Sequence, residues 1–196
     1  YNNKPNHTTI LPFTRLLSSP MDYTPGIFNL VDYRYNSQND RTINTSHHIP
    51  STIAKELALY IVIYAPVQMA ADLPENYEGH PAFQFILDVP TDWENTIVLN
   101  GEIGEYITTV RKDINSSDWY LGSITNEKAR NLDIELTFLD PGLKYNATIY
   151  KDPTNGGWES NPEGITIESI VVERNTNYRL KLAAGGGQAI RFSPIN

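Results

Sequence analysis

Leu132-Asp133-Ile134-Glu135-Leu136-Thr137-Phe138 alternates apolar with charged or polar side chains without a break. Successive side chains of an extended strand point to opposite faces, so Leu132, Ile134, Leu136 and Phe138 share one face and the polar set the other. Outward from this stretch the same kind of run recurs. Upstream lie Thr96 to Leu99, Tyr106 to Val110 and Trp119 to Ile124; downstream lie Tyr145 to Tyr150, Ile165 to Val172, Tyr178 to Leu182 and Ala189 to Phe192. Asp140-Pro141-Gly142, Asn155-Gly156-Gly157 and Gly185-Gly186-Gly187 carry turn chemistry between them. A triple glycine can cradle a phosphate, but no helical pattern follows this one, so a turn is expected. Short strands joined by turns predict an antiparallel β-sandwich over residues 92–196.

Before Pro90-Thr91-Asp92-Trp93 the period is different. The run from Asn6 to Arg15 reads as a short helix with Pro12 in its first turns, ended by Ser19-Pro20. Met21 to Thr24 is short enough for a buried strand, closed by a Pro25-Gly26 turn. Residues 27–50 are polar, and Asn36 to Asp40 reads as a surface loop without the alternating acidic spacing of a calcium site. His47-His48 are sequence neighbours and do not share a helix face, so a loop role is expected rather than a metal site. Ser51 or Thr52 can cap a helix whose stretch from Leu57 to Ala71 has only Gln68 as a strongly polar residue. That stretch is too short to span a membrane, and Pro66 should kink or break it. A helix apolar all round packs on both sides. It is expected between the sandwich and a barrel, with a large apolar face bare where the barrel is missing. Asp72, Glu75 and Glu78 lie in a Pro- and Gly-bounded stretch and read as a solvated loop face; Ala82 to Leu87 reads as a short helix.

Asn6 through Gly26, the Leu-Ala-Leu-Tyr run near residue 60, and Ala71-Asp72-Leu73-Pro74-Glu75-Asn76-Tyr77-Glu78 together resemble the C-terminal part of glycoside hydrolase family 97. The resemblance covers the whole chain and is most specific from Thr8 to about Trp93. Beyond that it rests on Asp140-Pro141-Gly142, Trp158-Glu159 and the triple glycine. It implies an α-glucosidase or α-galactosidase, with residues 1–91 closing a (β/α)8 catalytic barrel and residues 92–196 forming a C-terminal sandwich. It implies a periplasmic or secreted protein, an oligosaccharide or glycoside substrate, and calcium in the parent enzyme. The family's catalytic and calcium-binding carboxylates precede the segment that starts here, so no catalytic residue and no metal ligand is expected in this chain. Asn6 stands where members often carry Glu.

What remains are candidates for the rim of a sugar site: His7 before the first helix, and Asp22, Tyr23 and Thr24 at the expected last barrel strand. Function in such barrels sits at strand ends. An aromatic and a carboxylate suit a sugar's faces and hydroxyls, against the plainer roles of packing for Tyr23 and backbone bonding for Asp22. Two other readings stand beside the hydrolase one. A carbohydrate-binding module would expose Trp93, Trp119 and Trp158 as platforms, whereas a purely structural sandwich would bury them. Composition narrows the field: a net charge of −8 argues against nucleic acid and anionic membranes, and zero Cys removes thiol chemistry and disulfides. The chain opens on Tyr1-Asn2-Asn3 with neither a starting Met nor a leader, as a fragment of a longer protein would.

Overall fold

The computed structural model describes the backbone of residues 3–35 and 41–195, and side chains outside 31–48. Helix α1 (His7–Ile10) runs into two 3-10 turns, Leu11–Phe13 and Arg15–Leu17. Strands β1 (Val31–Tyr35) and β2 (Arg41–His48) pair antiparallel. Helices α2 (Ile53–Val62), α3 (Pro74–Tyr77) and α4 (Phe83–Asp88) follow. The rest is strand: β3 (Trp93–Glu102), β4 (Tyr106–Asp113), β5 (Trp119–Thr125), β6 (Arg130–Glu135), β7 (Lys144–Lys151), β8 (Thr166–Glu173), β9 (Asn177–Leu182) and β10 (Gly187–Pro194). The change of period at Pro90 therefore marks a real change of structure, and among the described residues no helix follows Asp88.

A six-stranded antiparallel sheet in the order β3-β4-β5-β10-β7-β8 forms the centre, and β6 and β9 make a two-stranded sheet across one face. The alternation of each strand divides its side chains between two cores. Trp119, Leu121, Ile149, Ile190 and Phe192 meet Ile134, Leu180 and Leu182 of the small sheet. Tyr120, Ile124, Tyr150 and Ala189 point the other way, onto α2. This second core joins residues from both sides of Trp93.

Helix α2 lies on the sheet because two glycines let it approach. A Cβ on Gly122 would sit 2.5 Å from the Ala58 carbonyl oxygen, and one on Gly187 would sit 2.7 Å from Lys55 Cα. Thr52 caps the helix as expected, its hydroxyl accepting from Lys55 N at 3.2 Å. The helix ends at Val62, where Ile63 turns extended, so the break comes before Pro66 rather than at it. All ten residues of α2 are buried. The bare apolar face expected of it is absent from α2 itself, because Phe28, Leu30, Tyr77 and Phe85 of the same chain pack into one core with it; the exposed apolar side chains of the expected stretch, Val67 and Met69, lie beyond the end of the helix.

Two further expectations are corrected. The polar residues 27–50 are not simply loop, since they contain the β1–β2 pair; polar composition hides a strand whose partner is its neighbour in sequence. Asn36 to Asp40 and the side chains of His47 and His48 lie outside the described residues. Met21 to Thr24 is not a strand either. It is extended, with Met21 N donating to Tyr64 O at 3.2 Å, but no strand pairs with it among the described residues. A strand is defined by its ladder, and the sequence of one strand does not supply the other.

Candidate functional site

The extended segment ends in a turn held from three sides. Gly26 has φ +90, a left-handed conformation that glycine takes without strain. Its N–H donates to Glu56 Oε2 at 3.0 Å and its carbonyl accepts from the Tyr77 hydroxyl at 2.7 Å. The Tyr60 hydroxyl donates to the Pro25 carbonyl at 3.2 Å. Glu56 is itself fixed on its other oxygen by the Ser51 hydroxyl at 2.6 Å. Two buried helix residues, Glu56 and Tyr60, thus clamp the turn and fix the position of Tyr23 just before it.

Tyr23 lines a cavity of about 200 Å³ with His7, Thr8, Ser51, Lys55 and Glu56, closed at one side by Asn3, Lys4 and Pro5. Lys55 is 1% exposed. Its ammonium donates to the Pro5 carbonyl at 2.8 Å and the Thr125 carbonyl at 3.0 Å, tying the N-terminal segment to β5. Burial pulls Lys55 down to about 8, against the opposing pull of Glu56, Glu127 and Asp152. Burial likewise pushes the Glu56 carboxyl above its usual range, opposed by Ser51, Gly26 and Lys55. The Tyr23 hydroxyl is pushed up by burial and then by Glu56, so at neutral pH it is a proton donor.

Of the four residues singled out from sequence, the structure brings two together. His7 and Tyr23 share the cavity. Asp22 is exposed and faces a separate hollow with Pro20, Met21, Pro66, Val67 and Met69. Thr24 is exposed and lines neither. Alternation in the extended segment explains the split, because neighbours point opposite ways. Lys55 and Glu56 were missed as site residues. The available signal was a charged pair inside a helix apolar all round, which has to meet partners in the interior.

Glu56 is the one carboxylate on the cavity wall, and its bonds to Gly26 and Ser51 give it a positioning role. Glycoside hydrolysis needs two carboxyl groups across the scissile bond. The cavity alone therefore offers imidazole, phenol and backbone contacts to a polyol, not the hydrolytic pair. Among the described residues no group of three His, Asp or Glu is placed to hold a metal, so they do not fit a calcium site. Asp72 is structural: it accepts from Phe28 N at 2.8 Å and Asn29 N at 2.7 Å. The exposed row of aromatics that a sugar-binding sandwich face requires is not found among the three tryptophans. Trp119 is buried, and Trp93 and Trp158 are half-buried.

Residues 92–193 match the protein family described as glycosyl-hydrolase 97 C-terminal, oligomerisation. A retaining alpha-galactosidase of Bacteroides thetaiotaomicron is 33% identical over 187 residues, which is 95% of this chain and 27% of that protein. A probable retaining alpha-galactosidase of Streptomyces bingchenggensis is 29% identical over 188 residues, 95% of this chain and 26% of that protein. A glycoside hydrolase family 97 enzyme from Pseudoalteromonas sp. strain K8, solved with panose and with acarbose, superposes with a TM-score of 0.90 at 47% identity, over 99% of this chain and 29% of that one. A beta-arabinopyranosidase shares the fold, with a TM-score of 0.74 at 23% identity over 95% of this chain and 27% of that one. The chain thus spans little more than a quarter of the length of these relatives.

Proposed function

Because this chain belongs to the family of glycosyl-hydrolase 97 C-terminal domains, we propose that it is the C-terminal part of an α-glycosidase acting on α-galactosides or α-glucosides, in which it completes the catalytic (β/α)8 barrel and supports it. The observation that carries this reading is that the likeness to retaining α-galactosidases runs through 95% of the chain, not only through the sandwich. It therefore takes in the Tyr23 turn and its cavity. In this reading His7 and Tyr23 contact the sugar at the rim of the active site, Glu56 holds the turn, and the hydrolytic carboxylates and any calcium ligands come from outside these residues. The sandwich half carries assembly of the enzyme into oligomers, the role the family description gives to this domain. The proposed setting is periplasmic or secreted. No described helix is long and apolar enough to cross a membrane.

The test compares the full protein that carries this segment with residues 1–196, using aryl α-galactosides and aryl α-glucosides. The full protein is expected to hydrolyse at least one and the segment neither. In the full protein, Tyr23→Phe and His7→Ala should raise KM more than they lower kcat. Turnover by residues 1–196 that Asp22→Ala abolishes would make Asp22 catalytic and overturn the assignment.

A further inference from the structure

We propose that the outer edge of β8 is the surface through which two copies of this chain assemble, β8 lying antiparallel against its own copy with Ser169 on the two-fold axis. This rests on the family reading above, which gives the sandwich half an oligomerising role, and names the strand, the partner and the register.

The six-stranded sheet has two edges, β3 and β8. They are built differently. The register of β3 against β4 shifts twice, between Trp93 and Asn95 and between Val98 and Asn100. Such bulges are how an edge is turned away from further pairing. β8 pairs with β7 in unbroken register from Thr166 to Glu173 and contains no Pro, Gly or Lys. Val171 on it is 63% exposed, and Ile167 and Ile170 are each 37% exposed. An unbroken edge of this length that exposes three aliphatic side chains is one that folded proteins normally blunt or fill.

Symmetry then limits how two such edges can meet. A two-fold axis through paired antiparallel strands stands perpendicular to the sheet, so each face continues as itself. Directly opposed residues must then have the same parity along the strand. Ile167 and Val171 lie opposite Tyr150 and Asn146 on the face toward α2, and Ile170 lies opposite Ala147 on the other. A register centred on Glu168 opposes two carboxylates, and one centred on Ile170 sets Glu173 against Ile167. Centred on Ser169, each Ile167 meets the other copy's Val171, twice across the axis. Glu168, already held by Lys151 at 2.6 Å, then lies beside Ile170 and not beside another carboxylate. The strand is self-complementary in this register, which is why the occupant is a second copy. It also falls inside residues 92–193, the span of the family whose description is oligomerisation.

Residues 1–196 contain no cysteine, and the unaltered full protein treated alike controls for any thiol outside them. In the full protein, Ser169→Cys under mild oxidation is expected to give a reducible covalent dimer. Ser117→Cys, exposed in the turn before β5, and the unaltered protein treated alike should give none. Val171→Lys should halve the mass seen by light scattering while the far-UV circular dichroism spectrum stays that of the unaltered protein, and its thermal transition should lose any dependence on protein concentration. An unaltered protein that is already monomeric overturns the proposal. So does an assembly that Val171→Lys leaves intact, or one in which Ser169→Cys does not crosslink, since each places the contact elsewhere or fills the edge with another part of the longer protein. Hydrolysis of an aryl α-glycoside by the same samples reports on the family reading independently: activity retained by a monomer refutes the interface and not the enzyme.

Discussion

Replacing Gly122 by Ala should drive α2 off the sheet. Gly122 lies at the middle of β5, and its φ is not positive, so Ala meets no backbone strain there. The obstacle is contact. The added Cβ would lie 2.5 Å from the Ala58 carbonyl oxygen and 2.8 Å from Ile61 Cβ, where ordinary contact begins near 3.4 Å. Both are fixed by the helix backbone, so no side-chain rotation relieves them. Restoring contact distance moves the helix by roughly 0.9 Å (3.4 minus 2.5). Overpacking of this kind costs about 1–3 kcal/mol, and the better strand propensity of Ala returns at most about 1. A net loss of about 1–2 kcal/mol lowers the melting temperature by roughly 2–8 °C for a chain of this size. The same movement stretches the Gly26–Glu56 bond and shifts Lys55, so in the full protein KM should rise as well. Urea unfolding followed by circular dichroism measures the stability. Gly142→Ala is the comparison: nothing lies within 4 Å of its Cβ and its φ is +79. It should cost about 1 kcal/mol through backbone strain alone and leave KM unchanged. A Gly122→Ala protein as stable as its parent would refute the close-approach reasoning.

Asp152 accepts from Gly187 N at 3.1 Å and Ala183 N at 3.3 Å, yet burial raises its carboxyl from 3.8 to about 6. The folded state therefore holds the proton longer than the unfolded chain. The associated stability is full below about pH 4 and is lost as pH rises through about 6, up to roughly 3 kcal/mol. Asp152→Asn should remove that slope between pH 4 and 7 in urea titrations; an unchanged slope contradicts the assignment. Arg111 donates from Nε to the Ile61 carbonyl at 2.6 Å and from Nη1 to Thr96 Oγ1 at 2.7 Å, and lies over the Tyr64 ring at 5.2 Å. It ties the last turn of α2 to β3. Arg111→Lys cannot make both bonds in that plane and should cost about 1–3 kcal/mol by the same titration, whereas a neutral outcome would mean that one bond suffices.

Local pattern was enough for the existence of the strands after Trp93, for the Thr52 cap and for the turn at Gly142, because each depends on residues within a few positions of one another; it did not show that the strand expected to run to Phe138 ends at Glu135, with Thr137 and Phe138 in a turn. The sequence also carried the charged pair Lys55-Glu56 in an apolar run, although its meaning was not legible there. Only the tertiary structure decided that β10 enters the sheet between β5 and β7, that Phe28, Leu30, Tyr77 and Phe85 of the same chain enclose α2 in one core, and that Tyr23 rather than Asp22 joins His7 at a cavity. The division follows from the range of the forces involved. Alternation, capping and turn geometry are set by neighbours in the chain. Burial, hydrogen-bond partners and the shifted proton affinities of Lys55, Glu56 and Asp152 are set by groups brought together from distant positions, which no window of sequence contains.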